Sequence, residues 1–463
     1  MYIDDTIAAI STPLGTAAIS VIRLSGPDAA TVAGKVFKPS SGPLEELSPR
    51  YAAFGRFYAD GKAIDDGIAV VYRAPSSFTG QDMVELSCHG GILVTRCILE
   101  QLFIHGARPA EAGEFTRRAY CLGKLDLSQA EAIAITLEAK NRGALAVGAA
   151  QREGVLSGKT KELFDEITDI IASVYVYIDY PDEDLSDIAP SELKTRLAAI
   201  ADKLKVLRSS YTTGKALTEG ILTAICGKPN SGKSSLLNRL LGTERAIVTD
   251  IAGTTRDTIE ETAVVGDVTL RLCDTAGIRE TTDEVEKIGI ARAVSAAELA
   301  ELILAVFDGS VELDIDDEKI FELVTEWRAV GKKIIAVVNK SDLPLKVTSD
   351  DIKARVEVDA TVELSSITGE GYDNLADVIS AFYIDGSLDF GSDAIITGAR
   401  QFAAVDGALQ RIENALRALE MGMTADIIGL DLEAALSKLG ELDGRSVSEE
   451  VVDSIFRNFC VGK

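Results

Sequence analysis

The residues best suited to chemistry in this chain are a lysine and a serine that follow two spaced glycines. Gly227 and Gly232-Lys233-Ser234 stand in the segment GKPNSGKS, a G-x-x-x-x-G-K-S spacing. Glycines so placed let the backbone curl until successive amide N–H groups point inward at phosphate oxygens. A lysine after the second glycine reaches the β- and γ-phosphates, and the next hydroxyl holds Mg2+. A helix opening at Lys233 adds the positive end of its dipole. The phosphate-side candidates are Asn230, Ser231, Gly232, Lys233, Ser234 and Ser235. The bland alternative is a chance glycine turn. Its surroundings weigh against it, because Ile221–Cys226 is an apolar, strand-like run and LLNRLLG after it is amphipathic in the helical sense.

Three further polar segments complete a pattern. Asp274-Thr275-Ala276-Gly277 ends one apolar run, Asn339-Lys340-Ser341-Asp342 ends another, and Ser365-Ser366 ends VELSS. Asp274 can hold Mg2+ through water, and the Gly277 N–H can sense a γ-phosphate. Upstream, Gly253-Thr254-Thr255 supplies hydroxyls, with Thr255 the natural second Mg2+ ligand. The Asp342 carboxylate accepts from both the ring N–H and the exocyclic amine of guanine. Adenine cannot offer that pair of donors, and a desolvated carboxylate left unpaired is costly. Ser365 and Ser366 close the pocket around the base. Each tetrapeptide is weak alone. In this order, each behind a strand-like run, they point to GTP.

One position departs from the small-GTPase pattern. Ile278 follows Gly277, where Ras-like proteins place a water-orienting glutamine. Isoleucine cannot orient a nucleophile, so hydrolysis needs another polar group. Glu286, in RETTDEVEKIG, is a candidate, although pattern alone favours an ordinary exposed helical carboxylate. Asn230 can offer an oxygen to a monovalent cation lying against the phosphates, replacing the charge of an arginine finger. The chain ends in Phe459-Cys460-Val461-Gly462-Lys463. Cys460 is either a buried packing residue, the commoner role, or part of a flexible tail that delivers a thiol and an ammonium. The residues leave both open.

These groups need a frame. From about 218 to 382, strand and helix patterns alternate, which predicts a mostly parallel sheet with ligands at the strands' carboxyl ends. The flanks read as helical. Ser128-Gln129-Ala130-Glu131 looks like a capping box opening a helix to about Ala150. Helices follow at about 155–178 and 190–213, the latter ended by Gly214, and again at 396–421, 424–440 and 446–459. Residues 1–120 mix strand-like runs (17–26, 51–58, 67–75, 82–91) with helical ones (28–37, 91–106). The expected fold is multidomain, α+β and α/β. An α+β domain spans 1–120, a helical domain is split between 121–216 and 383–463, and an α/β nucleotide domain is inserted at 217–382. Arg23 and Glu85 interrupt apolar strands, and pattern alone favours solvent-facing positions for them.

Composition bounds the partners. The 463 residues suggest two to four domains. With 73 Asp+Glu against 47 Lys+Arg, the net charge of −26 argues against broad nonspecific binding to nucleic acid or anionic membrane. RNA held at one local patch is still allowed. Cys88, Cys97, Cys121, Cys226, Cys273 and Cys460 form no CxxC pair, and no secretory signal precedes them. Reduced thiols in a cytoplasmic protein are expected. No apolar run approaches the ~18–20 residues that span a bilayer. With His89 and His105 the only histidines, a histidine-rich metal site is excluded, and joint metal ligation by Cys88-His89 is not expected.

Taken together, these residues resemble the tRNA-modification GTPases of the MnmE (TrmE) family. The resemblance covers the whole chain: VIRLSG, SFTGQDMVELSCHGG and GKLDLSQAEA, the GTPase motifs, and the terminal FCVGK. A P-loop marks only a superfamily, whereas TDIAGTTRD with DTAGIRETTDEVEKIG and Cys-Val-Gly-Lys is specific to this one. The resemblance implies an N-terminal folate-binding and dimerisation domain, a discontinuous all-α helical domain and an inserted Ras-like P-loop GTPase domain. It implies folate contacts at Arg23, Glu85, Lys124 and Lys463, which raises the weight on Arg23 and Glu85 above the solvent-facing reading. It implies K+ ligands at Asn230, Thr249, Ile251 and Thr254, Mg2+ ligands at Ser234 and Thr255, and nucleotide contacts through Asp250, Ala252 and Gly253. Glu286 matches the residue that activates water, and Cys460 a cysteine required for tRNA modification.

The resemblance further implies a K+-stimulated GTPase, active as a homodimer with the FAD-carrying flavoprotein MnmG (GidA) in a heterotetramer-type complex. The pair installs a 5-carboxymethylaminomethyl or 5-aminomethyl group on C5 of the wobble uridine of certain tRNAs. A tetrahydrofolate derivative supplies the one-carbon unit, and ammonium or glycine the nitrogen. Val461 stands where many members have Ile or Leu. The acidic charge implies that the partner holds most of the tRNA. Two rivals differ in class: a ribosome-assembly GTPase, which would carry a basic RNA-binding appendage, and a GTP-dependent regulatory scaffold.

Overall fold

Apolar and polar residues alternate along β2 (Ile19–Ser25) and β6 (Met83–His89), and the two strands pair antiparallel with Arg23 opposite Glu85. They belong to a computed structural model that describes residues 4–179, 190–243, 261–273, 296–457 and 459–462. The chain divides into two units, Met1–Ala134 with Leu436–Lys463, and Ile135–Ala435.

The first unit is built on a seven-stranded sheet in the order β3-β4-β5-β6-β2-β1-β7. The other strands are β1 (Ile7–Ile10), β3 (Phe37–Pro39), β4 (Ala52–Ala59), β5 (Lys62–Tyr72) and the short β7 (Arg108–Pro109). Period-two alternation sends Ile22, Leu24, Val84 and Leu86 into a core closed by α1 (Ala29–Val36) and α2 (Ile92–Ile104). Arg23 and Glu85 therefore lie on the opposite face. That face is partly covered by α3 (Glu114–Cys121), whose Phe115 packs with Ile7, Ala9 and Met83. Arg118 of α3 is fully buried and donates to the Asp5 carbonyl and carboxylate, Gln81 and Glu114. Such a charge is tolerable inside because each partner compensates its lost hydration.

The second unit holds a six-stranded sheet in the order β13-β12-β11-β8-β10-β9. Its strands are β8 (Ile221–Cys226), β9 (Glu261–Val265), β10 (Val268–Leu272), β11 (Leu302–Asp308), β12 (Lys333–Asn339) and β13 (Ala360–Glu363). Among the described residues, only the β9–β10 pair is antiparallel in this sheet. Every residue of β11 is buried, as a central strand covered on both faces requires. Leu302, Leu304 and Val306 meet Leu236 and Leu240 of one helix layer, and Ile303, Ala305 and Phe307 meet Phe321 and Trp327 of the other.

The helical flanks depart from the sequence reading in three ways. The pattern expected to run unbroken to Ala150 is two helices, α4 (Leu127–Glu138) and α5 (Arg142–Arg152). Asn141 starts the second by accepting from the Ala144 N–H at 2.7 Å. Nor does Ser128 cap α4, since its hydroxyl donates to the Leu442 carbonyl at 2.7 Å. Asp126 and Gln129 form the reciprocal box two residues earlier, at 2.9 and 3.0 Å. After α6 (Val155–Asp179), α7 runs Pro190–Thr218, straight through Gly214. A Cβ at Gly214 would sit 2.1 Å from the Ile396 carbonyl, so the glycine serves close approach and not helix ending.

Candidate functional site

The loop after β8 folds as its glycines and Asn230 require. Gly227 has φ +152°, Asn230 +60° and Gly232 +96°. Asparagine tolerates the left-handed region better than other side chains. A Cβ at Gly232 would fall 2.0 Å from Asn339 Nδ2, so no other residue fits there. α8 (Lys233–Thr243) begins at the lysine, with Ser234 in its first turn. Lys233 Nζ donates to the Lys228 carbonyl at 2.8 Å, curling over the loop it follows. Asn230 is exposed and Ser231 buried.

Asn339, at the end of β12, ties this loop to the base-side segments. Its Nδ2 donates to the Ser231 carbonyl at 3.0 Å, and its Oδ1 accepts from the Ser366 N–H and hydroxyl at 3.0 and 2.9 Å. Ser365 Oγ donates to the exposed Asp342 carboxylate at 2.6 Å. Lys340 adopts φ +67° and reaches Asp308 Oδ2 at 2.5 Å. Burial alone would raise the Asp308 pKa, but the bonds from Lys340 and Ser310 outweigh it and hold the carboxyl low. Ser235 and Ser366 line one cavity of about 600 Å3 with Asn238, Arg239 and Gly242. The residues thus fit a phosphate-to-base groove: a backbone cradle closed to side chains at one end, and an accessible carboxylate held by a buried serine at the other.

Several expected participants lie outside the described residues: Thr249, Asp250, Ile251, Ala252, Gly253, Thr254, Thr255, Asp274, Thr275, Ala276, Gly277, Ile278, Glu286 and Lys463. One participant was missed. Lys228, inside the loop, is held by Asp317 at 2.6 Å and Asp314 at 2.9 Å. These carboxylates form the capping box of α9 (Ile315–Ala329). Burial would lower the Lys228 pKa, but hydrogen bonds to both carboxylates raise it. The D-x-x-D spacing at 314–317 is a cap signal in the sequence, but nothing in it names Lys228 as the partner.

In the first unit, Arg23 and Glu85 do not point freely to solvent as the pattern suggested. They pair at 2.7 Å with side chains 20% and 26% exposed. Tyr72 Oη donates to Glu85 Oε2 at 3.2 Å, and burial, then the Glu85 charge, push the Tyr72 pKa up. The Arg23 guanidinium lies 5.6 Å from the Phe78 ring centroid and 5.9 Å from that of Phe115. Lys124 Nζ donates to the Pro75 carbonyl at 3.0 Å, and its chain packs on Gly80. The 75–80 loop thus touches Arg23 through Phe78 and holds Lys124. Phe78 lies in the SFTGQDMVELSCHGG segment, but nothing in the sequence pointed to its contact with Arg23, and Tyr72 carries no motif.

Cys460 is exposed, which removes the packing reading. Its segment is also anchored. Phe459 packs with Phe456 and Leu127, the Gly113 N–H donates to the Cys460 carbonyl at 3.4 Å, Val461 bridges Ala112, and Ser11 Oγ donates to the Gly462 carbonyl at 3.1 Å. The thiol is therefore presented by a pinned segment, not a swinging tail. Ser11 follows β1, whose Ala9 is opposite Arg23. Among the described residues, no helix is long and apolar enough to cross a membrane.

Two family models match most of the chain. A model described as the MnmE helical domain matches residues 127–460, and one described as the GTP-binding protein TrmE N-terminus matches 6–124. The chain is similar to a tRNA modification GTPase MnmE of Clostridioides difficile, 41% identical over 464 residues and 100% of both chains. The proteins of that name from Listeria innocua (41% over 460 residues, 99% of each chain) and Thermotoga petrophila (41% over 463 residues, 99% of this chain and 100% of the other) are equally similar.

Proposed function

The chain belongs to the MnmE family of tRNA modification GTPases, and from that premise we propose that it hydrolyses GTP, with Mg2+ and K+, to drive modification of the tRNA wobble uridine at C5. The observation that carries the GTP reading is the position of Asn339. One side chain joins the phosphate-side Ser231 to the base-side Ser366, as a groove that grips a nucleotide along its length needs. Loop amides and Lys233 bind the phosphates, Asp342 reads guanine, and Ser234 with Thr255 holds Mg2+, which neutralises phosphate charge. Asn230, with Thr249, Ile251 and Thr254, holds K+, and Glu286 positions water.

The Arg23–Glu85 site takes the reduced folate. A pterin offers ring and amine N–H donors to Glu85 and a flat face to Phe78, while folate carboxylates suit Lys124 and Lys463. Bound there, the folate would supply the one-carbon unit and the flavoprotein MnmG its FAD, with Cys460 as the cysteine that the modification needs. The exposed apolar residues Ile19, Phe54 and Ile68 share this sheet and suit a second copy of the chain, which supports a homodimer. The working division is 1–120, 121–216 with 383–463, and 217–382. GTP turnover in KCl against NaCl tests the cation: a severalfold excess in KCl is expected, and equal rates would remove K+ from the account. Reconstitution with the flavoprotein, folate and unmodified tRNA tests the rest. An unmodified wobble uridine after GTP consumption would contradict it.

A further inference from the structure

The break between α4 and α5 falls where the helical layer of the second unit meets the nucleotide-binding sheet. Asn141 there uses its whole amide. Oδ1 caps α5 through the Ala144 N–H, while Nδ2 donates to the Leu217 carbonyl and to Thr269 Oγ1, both at 2.9 Å. Leu217 and Thr269 are buried, so neither acceptor can turn to bulk water instead. Next door, Lys140 Nζ donates to Thr262 Oγ1 at 3.0 Å. Thr262 lies on β9 and Thr269 on β10, so the two junction residues grip both strands of the edge hairpin.

That hairpin sits between chemically important segments in sequence. The 249–257 threonine-rich stretch precedes β9, and Asp274 follows β10. Leu217 stands shortly before β8, which leads into the phosphate loop. The far end of α5 is held too: Gln151 Nε2 donates to the Ile395 carbonyl at 2.6 Å. The chain's exit from the sheet layer is fixed by Thr213, whose hydroxyl donates to the Tyr383 carbonyl at 3.1 Å and accepts from the Asp385 N–H at 2.9 Å. A short helix tied at both ends passes on a displacement of its N-cap instead of absorbing it.

We propose that Asn141 is a positioning residue, which couples the β9–β10 hairpin to α5 so that the state of the nucleotide site is felt in the helical layer. An ordinary cap explains only the Oδ1 bond. The two Nδ2 bonds do not help α5 form, and they are what the proposal rests on, together with the GTP reading above.

Two substitutions separate capping from coupling. Asn141→Asp keeps a good cap acceptor but loses the donor. Thr269→Val removes the strand acceptor with little change of shape. Binding of GDP and of a nonhydrolysable GTP analogue to the full chain is first measured by calorimetry, then amide hydrogen exchange is compared between the two states. In the wild type, a difference is expected both in 261–272 and in 142–152. Both variants should keep the hairpin difference and GTP turnover within about twofold, and lose most of the α5 difference. Modification in the reconstituted system should fall about tenfold, the scale of a typical coupling between sites. An unchanged α5 difference in both variants overturns the proposal. So does a wild type whose α5 shows no difference between the two nucleotides. Failure of either nucleotide to bind is seen at the calorimetry step, and removes the GTP reading and the proposal with it.

Discussion

In the six-stranded sheet, β8 and β12 end in loops whose backbone groups and short side chains form the candidate site, whereas in the seven-stranded sheet the candidate groups sit mid-strand on β2 and β6. The first arrangement depends on conformation. Gly232 is required because a side chain would strike Asn339, and Asn230 because φ is positive. The second depends on register. Arg23 meets Glu85 across 62 positions of sequence because β2 and β6 pair at that alignment, and a slip of one residue in either strand would turn that strand's charge to the opposite face. A conformational site writes its requirements into neighbouring residues. A register site spreads them over the chain.

The comparison can be broken or sharpened by substitution. The largest effect is expected for Lys233→Ala, which should lower GTP turnover on the order of 100-fold or more by removing a charge aimed at the phosphates. Steady-state kinetics check it, and folate binding should be unchanged. Asn339→Ala comes next. It leaves the Ser231 carbonyl and the Ser366 N–H without their partner, so a stability loss of about 1–3 kcal/mol is expected, with weaker GDP affinity. Denaturant unfolding and calorimetry measure both.

Arg23→Ala should behave in the reverse way. The pair is partly solvated, so stability should change by about 1 kcal/mol or less, while folate affinity falls about tenfold or more by fluorescence titration, as expected for a lost charged hydrogen bond. A large stability loss with unchanged folate binding would make the pair a purely structural feature.

The smallest effect is on pH dependence. Burial alone would raise the pKa values of Asp5 and Glu114, but bonds from Arg108 and Arg118, and for Glu114 also from the Glu111 N–H, hold both low. Their contribution is therefore fully present above the ordinary carboxylate values, 3.8 and 4.5. It is lost as pH falls through the depressed folded ones. Acid unfolding of the wild type should steepen below about pH 4.5, and Arg118→Met should flatten that dependence.

The same contrast explains what could be read from the chain. The nucleotide sheet was legible nearly strand by strand, since β8, β11 and β12 are continuous apolar runs ending in polar motifs. The hairpin strand β9 was not, because ETAVV is short and carries no polar motif, although the Gly266-Asp267 turn between it and β10 is a hairpin signal in the sequence. In the first unit β2, β4 and β6 were legible by alternation, but α3 was not: a fully buried Arg118 inside EFTRRAYC reads as surface until its partners are known. Asp126 was passed over as the α4 cap because Ser128 offered the same pattern two residues on. Cys460 could not be placed, because exposure on a pinned segment depends on Ala112 and Ser11, which are far away in sequence.

The central claim is that the loop after β8 and the Asn339–Asp342 turn form one groove selective for guanine. Calorimetric titration of the full chain with GDP and with ADP, in Mg2+ and KCl, tests it most directly. GDP should bind at least about 1,000-fold more tightly than ADP, because only guanine pairs with the Asp342 carboxylate. Equal affinity for the two, or no binding of either, would contradict it.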